Sequence, residues 1–152
     1  MLDAWIANQD RHHENWSLVV SPEPARHLAP TYDHASSLGS NEPDKTRKDR
    51  LTTRDKGRSM EHYVERARSA FFVSPSSSKL MSTLEAFHEA GKARPEAARW
   101  WLESLIDVLR RDVQRIFEEI PRNLISEVAI EFALTMLDLN RQRLLELHEE
   151  FR

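Results

Sequence analysis

From Ser126 to Glu149 apolar side chains return at every third or fourth position, Val128, Phe132, Met136 and Leu139 on one line, with Ala133, Leu137, Leu144 and Leu147 beside it. A stripe that wide predicts a central helix packed on more than one side. A second long period, Trp101, Leu105, Leu109, Val113, Ile116 and Phe117, predicts an inward helix face from about Pro95 to Ile120, opened by an early proline and stopped by Pro121. Upstream, Tyr63, Val64, Ala67 and Phe71 share a helical face that Ser74-Pro75 ends. Leu80, Leu84 and Phe87 share another that Gly91 ends. The chain is therefore expected to be mainly α, with residues 59–152 as a helical scaffold.

The first forty residues follow a different pattern. Leu2, Trp5 and Ile6 recur at helical spacing and predict a helix ending near Asn8. No capping residue precedes it, so it reads either as the continuation of something upstream or as a short frayed terminus, and Leu2, Trp5, Ile6 and Trp16 are expected to form an exposed apolar face. The aromatic and β-branched run Trp16–Val20, the turn Ser21-Pro22-Glu23-Pro24 and the extended segment His27–Tyr32 predict a small β-hairpin. Residues 40–58 carry seven Lys or Arg among three Asp and one Glu, without an apolar period, and are expected to form a mobile basic loop.

Composition narrows the chemistry. The 152 residues suit one domain with a core of its own, and 22 basic against 25 acidic residues give no global field that would draw nucleic acid or an anionic membrane. Cysteine is absent, which removes disulfides, thiolate nucleophiles and cysteine zinc sites. The N-terminal residues lack the layout of a signal peptide, and charges interrupt even the most apolar stretch, Val128–Leu139. A cytoplasmic protein without membrane contact is expected.

Asp10 and Asn15 stand five residues apart just ahead of the first predicted strand, and Asp33 follows the hairpin. In kinase catalytic loops an aspartate orients the acceptor hydroxyl and takes its proton. An asparagine five residues on holds magnesium, and a second aspartate beyond a hairpin grips the metal between the phosphates. The division of labour is physical: one carboxylate must face the attacking oxygen while other oxygen ligands hold the hard cation that neutralises phosphate charge.

The two segments Asp10-Arg11-His12-His13-Glu14-Asn15-Trp16 and Leu28-Ala29-Pro30-Thr31-Tyr32-Asp33 together resemble the C-terminal lobe of bacterial HipA-like serine/threonine kinases. The first is also similar to a motif of phosphoinositide 3- and 4-kinases. The resemblance implies Asp10 as catalytic base, Asn15 and Asp33 as Mg2+ ligands, His12 as an ATP-phosphate or loop-orienting residue, and a protein substrate with an antitoxin-like partner. It covers one lobe only. Kinases clamp ATP with a Gly-rich loop and a strand lysine upstream of the catalytic loop, whereas nine residues precede Asp10, the three glycines are scattered, and all five lysines follow Asn15. The fold implied is a kinase C-lobe without its N-lobe, with residues 1–39 holding the catalytic and metal-binding loops.

Blander readings stand beside this one. Asp10 and Asn15 could be a turn pair and a cap. His12, His13, His27 and His34 could suggest zinc, but no HExxH spacing occurs. The basic residues of 45–58 read first as a solvated loop, and by kinase order as the segment that helps choose a substrate. A truncated lobe kept as a helical interaction module, and an enzyme acting on a lipid headgroup or small alcohol, are the alternative functions.

Overall fold

A computed structural model describes residues 1–20 and 26–151. Its elements in chain order are α1 (Leu2–Trp5), β1 (Leu18–Val20), β2 (Arg26–Leu28), α2 (Asp44–Thr52), a 3-10 turn (Lys56–Arg58), α3 (Met60–Glu65), β3 (Arg68–Phe72), β4 (Leu80–Ser82), α4 (Thr83–Ala93), α5 (Pro95–Ile106), α6 (Arg110–Glu118), α7 (Glu127–Glu146) and a closing 3-10 turn (His148–Phe151). The fold is mainly helical with two small antiparallel hairpins among the described residues. No helix of these residues is long and apolar enough to cross a membrane.

The long helix α7 is the axis, as its double stripe predicts. It packs against α1, α2, α3, α5 and α6. Leu144 joins Ala4, Phe87, Ala98, Leu102, Leu105 and Phe151 in one apolar cluster. Phe132 and Met136 join Ala7, Met60, Val64 and Ala67 in a second, and Ala133, Leu134 and Leu137 join Phe117 in a third. Ser126 caps the helix by accepting from the Ala129 N–H at 3.0 Å.

The hairpin expected at 16–32 is present, pairing Leu18 with Leu28 and Val20 with Arg26. Its expected turn, Ser21–Pro24, lies outside the described residues. Four other expectations are corrected. Residues 40–58 are not a loop: α2 occupies their middle. It escapes a search for apolar periods because it buries no residue fully. Instead, Leu51 packs against the second cluster, Arg47 donates to the Gly39 and Ser40 carbonyls at 3.1 and 3.2 Å, and the Arg50 guanidinium lies 4.6 Å over the Tyr63 ring.

The face Tyr63–Phe71 is not one helix. α3 stops at Glu65, and a second hairpin, β3–β4, begins at Arg68. Ser69 Oγ donates across it to the Met81 carbonyl at 3.0 Å, and the run Ser74–Ser78 makes the connection. Gly91 does not end α4. It sits inside the helix, where an added Cβ would meet the Phe151 ring at 2.5 Å, so glycine serves close packing there.

The expected helix from Pro95 to Ile120 is two. Arg141 donates to the Ile106 carbonyl at 2.9 Å, satisfying a group that the end of α5 leaves free, and Arg110 pairs with Asp138 at the start of α6. Leu105 and Phe117 are buried as expected, but Trp101, Leu109 and Ile116 are exposed.

Candidate active site

The site begins where α1 meets α7. Trp5 Nε1 donates to the Leu137 carbonyl at 3.1 Å, and the buried Asn140 side chain donates to the Trp5 carbonyl at 3.1 Å. These two bonds fix the exit of α1 against the central helix. They also correct the expected exposed face: Trp5 and Ile6 pack into the core, and of the four residues only Trp16 is exposed. The chain then turns sharply through Ala7, whose φ is 52°, into the fully buried Asn8. Asn8 donates to Asp3 Oδ1 at 2.9 Å and accepts from the Asp10 N–H at 3.1 Å, so its amide sets the direction of the backbone at Asp10.

Arg11, only 7 % exposed, is the hub of the site. Its Nε donates to both Asp3 oxygens at 3.0 and 3.1 Å, and its Nη2 to Oδ1 at 2.9 Å. The remaining donors reach the Asn15 carbonyl, the Tyr32 carbonyl at 3.0 Å and His34 Nδ1 at 3.0 Å. Arginine has no acceptor, so His34 Nδ1 accepts here. One guanidinium thus ties α1, the Asp10–Asn15 loop and the segment around Asp33 together. Burial pushes the Asp3 carboxyl up, but the bonds from Arg11 and Asn8 outweigh it and hold Asp3 below the usual carboxylate range. The bond to Asp3 in turn raises the Arg11 guanidinium, with Asp33 adding a smaller electrostatic contribution.

Within the loop, Asn15 is buried and its Nδ2 donates to the Asp10 carbonyl at 2.7 Å. That bond uses the donor end of the amide and leaves Oδ1 as the atom a cation can take. The Asp10 side chain is about half exposed, with its Oδ1 3.6 Å from His12 Nε2. His12 Nδ1 accepts from the Glu14 N–H at 3.2 Å, so the neutral ring carries its proton on Nε2, toward Asp10. His12 therefore neighbours the carboxylate that it follows in sequence.

The hairpin returns the chain alongside this loop. Ala29 N–H donates to the Ser17 carbonyl at 2.9 Å and Tyr32 Oη to the Glu14 carbonyl at 2.9 Å. Beyond Asp33, Gln9 N–H donates to the Ser36 carbonyl at 3.2 Å and Leu38 N–H to the Ile6 carbonyl at 2.9 Å. Asp33 is exposed and left-handed, with φ at 53°. Aspartate tolerates that region better than most residues, and such backbone states gather at functional sites.

Asp10, His12, Asn15 and Asp33 thus lie on two segments that Arg11, Tyr32 and Gln9 stitch side by side. Arg11, Asp3 and Asn8 received no role from sequence reasoning. Arg11 lies inside the motif, but nothing in the linear chain links it to Asp3, Tyr32 or His34. As a donor set, the Asn15 amide oxygen and the Asp33 carboxylate are all-oxygen and suit a hard cation that keeps several waters. Among the described residues no group of three or more His, Asp or Glu side chains is arranged to hold a metal. No family model, no curated protein and no solved structure matches this chain.

Proposed function

We propose that the chain is the catalytic-loop lobe of a HipA-like phosphotransferase, which passes the γ-phosphoryl group of ATP to a serine or threonine hydroxyl of a protein when a nucleotide-clamping lobe completes the site. One observation carries this reading: the Arg11 guanidinium holds the Asn15 and Tyr32 carbonyls together, so the Asp10–Asn15 loop and the Asp33 segment share one site. Turn and capping duties alone do not call for a buried cation between two loops.

In this reading Asp10 orients the acceptor hydroxyl and takes its proton, because its carboxylate is solvent-accessible while its backbone is held by Asn8 and Asn15. His12, protonated on the side of Asp10, steadies that carboxylate and can meet a phosphate oxygen. Asn15 Oδ1 and the Asp33 carboxylate hold Mg2+. When bound, that ion supplies the positive charge that phosphoryl transfer needs.

Manganese takes the same oxygen ligands and broadens nearby NMR signals, so it tests the metal half on the chain itself. Asn15 and Asp33 signals broaden first at low Mn2+, and Asp33→Ala removes the effect. Broadening centred elsewhere, or unchanged in Asp33→Ala, overturns the assignment.

A further inference from the structure

Beside the catalytic loop lies a second feature that the phosphoryl-transfer site does not use. Helix α2, the Lys56–Arg58 turn and α3 enclose a cavity of about 330 Å3, floored by apolar side chains including Met136. Arg50, Arg58 and Arg66 line it, together with His62, against one lining carboxylate, Asp49. The three cations differ in how far they are satisfied. Arg58 is paired with Asp49. Arg50 is 4.0 Å from Glu42 and stacks on Tyr63, and its buried Nε has no hydrogen-bond partner among the described residues. Arg66, at the end of α3, has no ion-pair partner among the described residues.

A pocket with three guanidinium groups against one lining carboxylate, and with Arg66 unpaired among the described residues, favours an oxyanion, since the planar fork of arginine matches carboxylate and phosphate oxygens. Its volume is at the low end for ligand pockets and suits one side-chain-sized group rather than a whole cofactor. Its lip includes Gln9, whose Cα is about 3.8 Å from that of Asp10 along the chain. A peptide anchored here by an acidic side chain brings a residue a short way along the same peptide to the proposed base.

We infer that this pocket is an acceptor subsite, in which Arg50, Arg58 and Arg66 hold an acidic or phosphorylated side chain of the protein substrate close to the hydroxyl that Asp10 serves. The inference rests on the phosphotransferase reading for its purpose but not for its binding chemistry. Carboxylate and phosphate share that chemistry, and the measurement separates them.

Fluorescence anisotropy on the full chain, without nucleotide, compares four labelled peptides: a Glu-rich one, its Gln-rich counterpart, a phosphoserine peptide and its unphosphorylated form. Binding of the Glu-rich or the phosphoserine peptide, weakened by salt and absent for the neutral counterparts, is the expected result, and the stronger of the two identifies the source. Loss of a charge-assisted contact in Arg66→Gln weakens binding about tenfold. Arg66→Lys keeps the charge and loses less. Arg111→Gln, an exposed arginine outside the pocket, changes nothing. The measurement uses neither nucleotide nor metal and reads binding alone, so failure of the catalytic reading and failure of the subsite are distinguishable. Equal binding of the neutral peptides, an Arg66→Gln variant that binds like wild type, or preference for a single-stranded RNA oligomer of equal charge overturns the proposal.

Discussion

Replacing Arg11 by alanine removes a guanidinium that ties α1 to both loops of the site. Its guanidinium is nearly buried, while its Asp3 partner keeps 34 % of its side chain exposed. Breaking a fully buried ion pair costs about 3–5 kcal/mol. Water reaching Asp3 reduces that, whereas stranding the Asn15 and Tyr32 carbonyls adds to it, so a loss of about 3 kcal/mol is expected. For a domain of this size that lowers Tm by about 6–12 °C. Urea unfolding measures the free energy, and a double-mutant cycle with Asp3→Asn isolates the pair. The double variant is expected to lose at least 1 kcal/mol less than the sum of the singles, because each single leaves the other partner uncompensated. The pH dependence has a definite sign. Asp3 titrates below its unfolded value, so its contribution is present above about pH 3.9 and disappears as pH falls through the lower folded value. The gap between wild type and Arg11→Ala therefore narrows below about pH 4. A loss under 1 kcal/mol, an additive cycle or a gap constant down to pH 2 refutes the clamp.

Two further outcomes follow from the same geometry. Gly39→Ala forces alanine into a left-handed backbone with φ near 65° and sets its Cβ against the Phe132 ring, whose Cδ1 is 3.1 Å away. A loss of about 2–4 kcal/mol is expected from strain and overpacking, read by thermal or urea unfolding. These 152 residues by themselves are expected to transfer no appreciable label from radiolabelled ATP to generic acceptors, since positioning and charge neutralisation supply nearly all of phosphoryl transfer and the proposed site, Asp10, Asn15 and Asp33, contains no cation to clamp the phosphates. Robust transfer that Asp10→Ala abolishes would refute that.

The parts of the fold legible in the sequence are those where burial is periodic and local. The stripe of α7 announced a central helix, and an aromatic and β-branched run followed by a Pro-containing turn announced the first hairpin, although both its strands are exposed. Two of the misses, α2 and the break between α5 and α6, share a cause: long polar side chains did structural duties that an apolar period does not record. Arg47, Arg50 and Leu51 dock α2 with no residue fully buried, and Arg141 closes α5 from a helix about 35 residues away in sequence. The face from Tyr63 to Phe71 obeyed helical spacing, yet Ser69 reaches across to Met81 and a strand results. Period alone cannot distinguish these outcomes when the competing contact is distant.

The candidate site divides in the same way. Residue type and spacing singled out Asp10, Asn15 and Asp33 as candidates, because their order matches the division of labour of a kinase catalytic loop. What makes them neighbours was not legible, since it depends on donors that reach across sequence distance. Arg11 spends its donors on Asp3, Asn15, Tyr32 and His34, and only the bond to Asn15 spans fewer than five residues. Trp5 and Asn140 then anchor that assembly to α7 over more than a hundred residues of chain. A substitution at Asn140 therefore acts on the loop through α1. Asn140→Leu fills a similar volume but strands the Trp5 carbonyl, so it is expected to loosen Asn8 and Asp10 before it unfolds the helices. Amide exchange at Asp10, whose N–H is held by Asn8, reports this: it accelerates ahead of exchange in α7 if the anchoring runs through Trp5, and keeps pace with α7 if it does not.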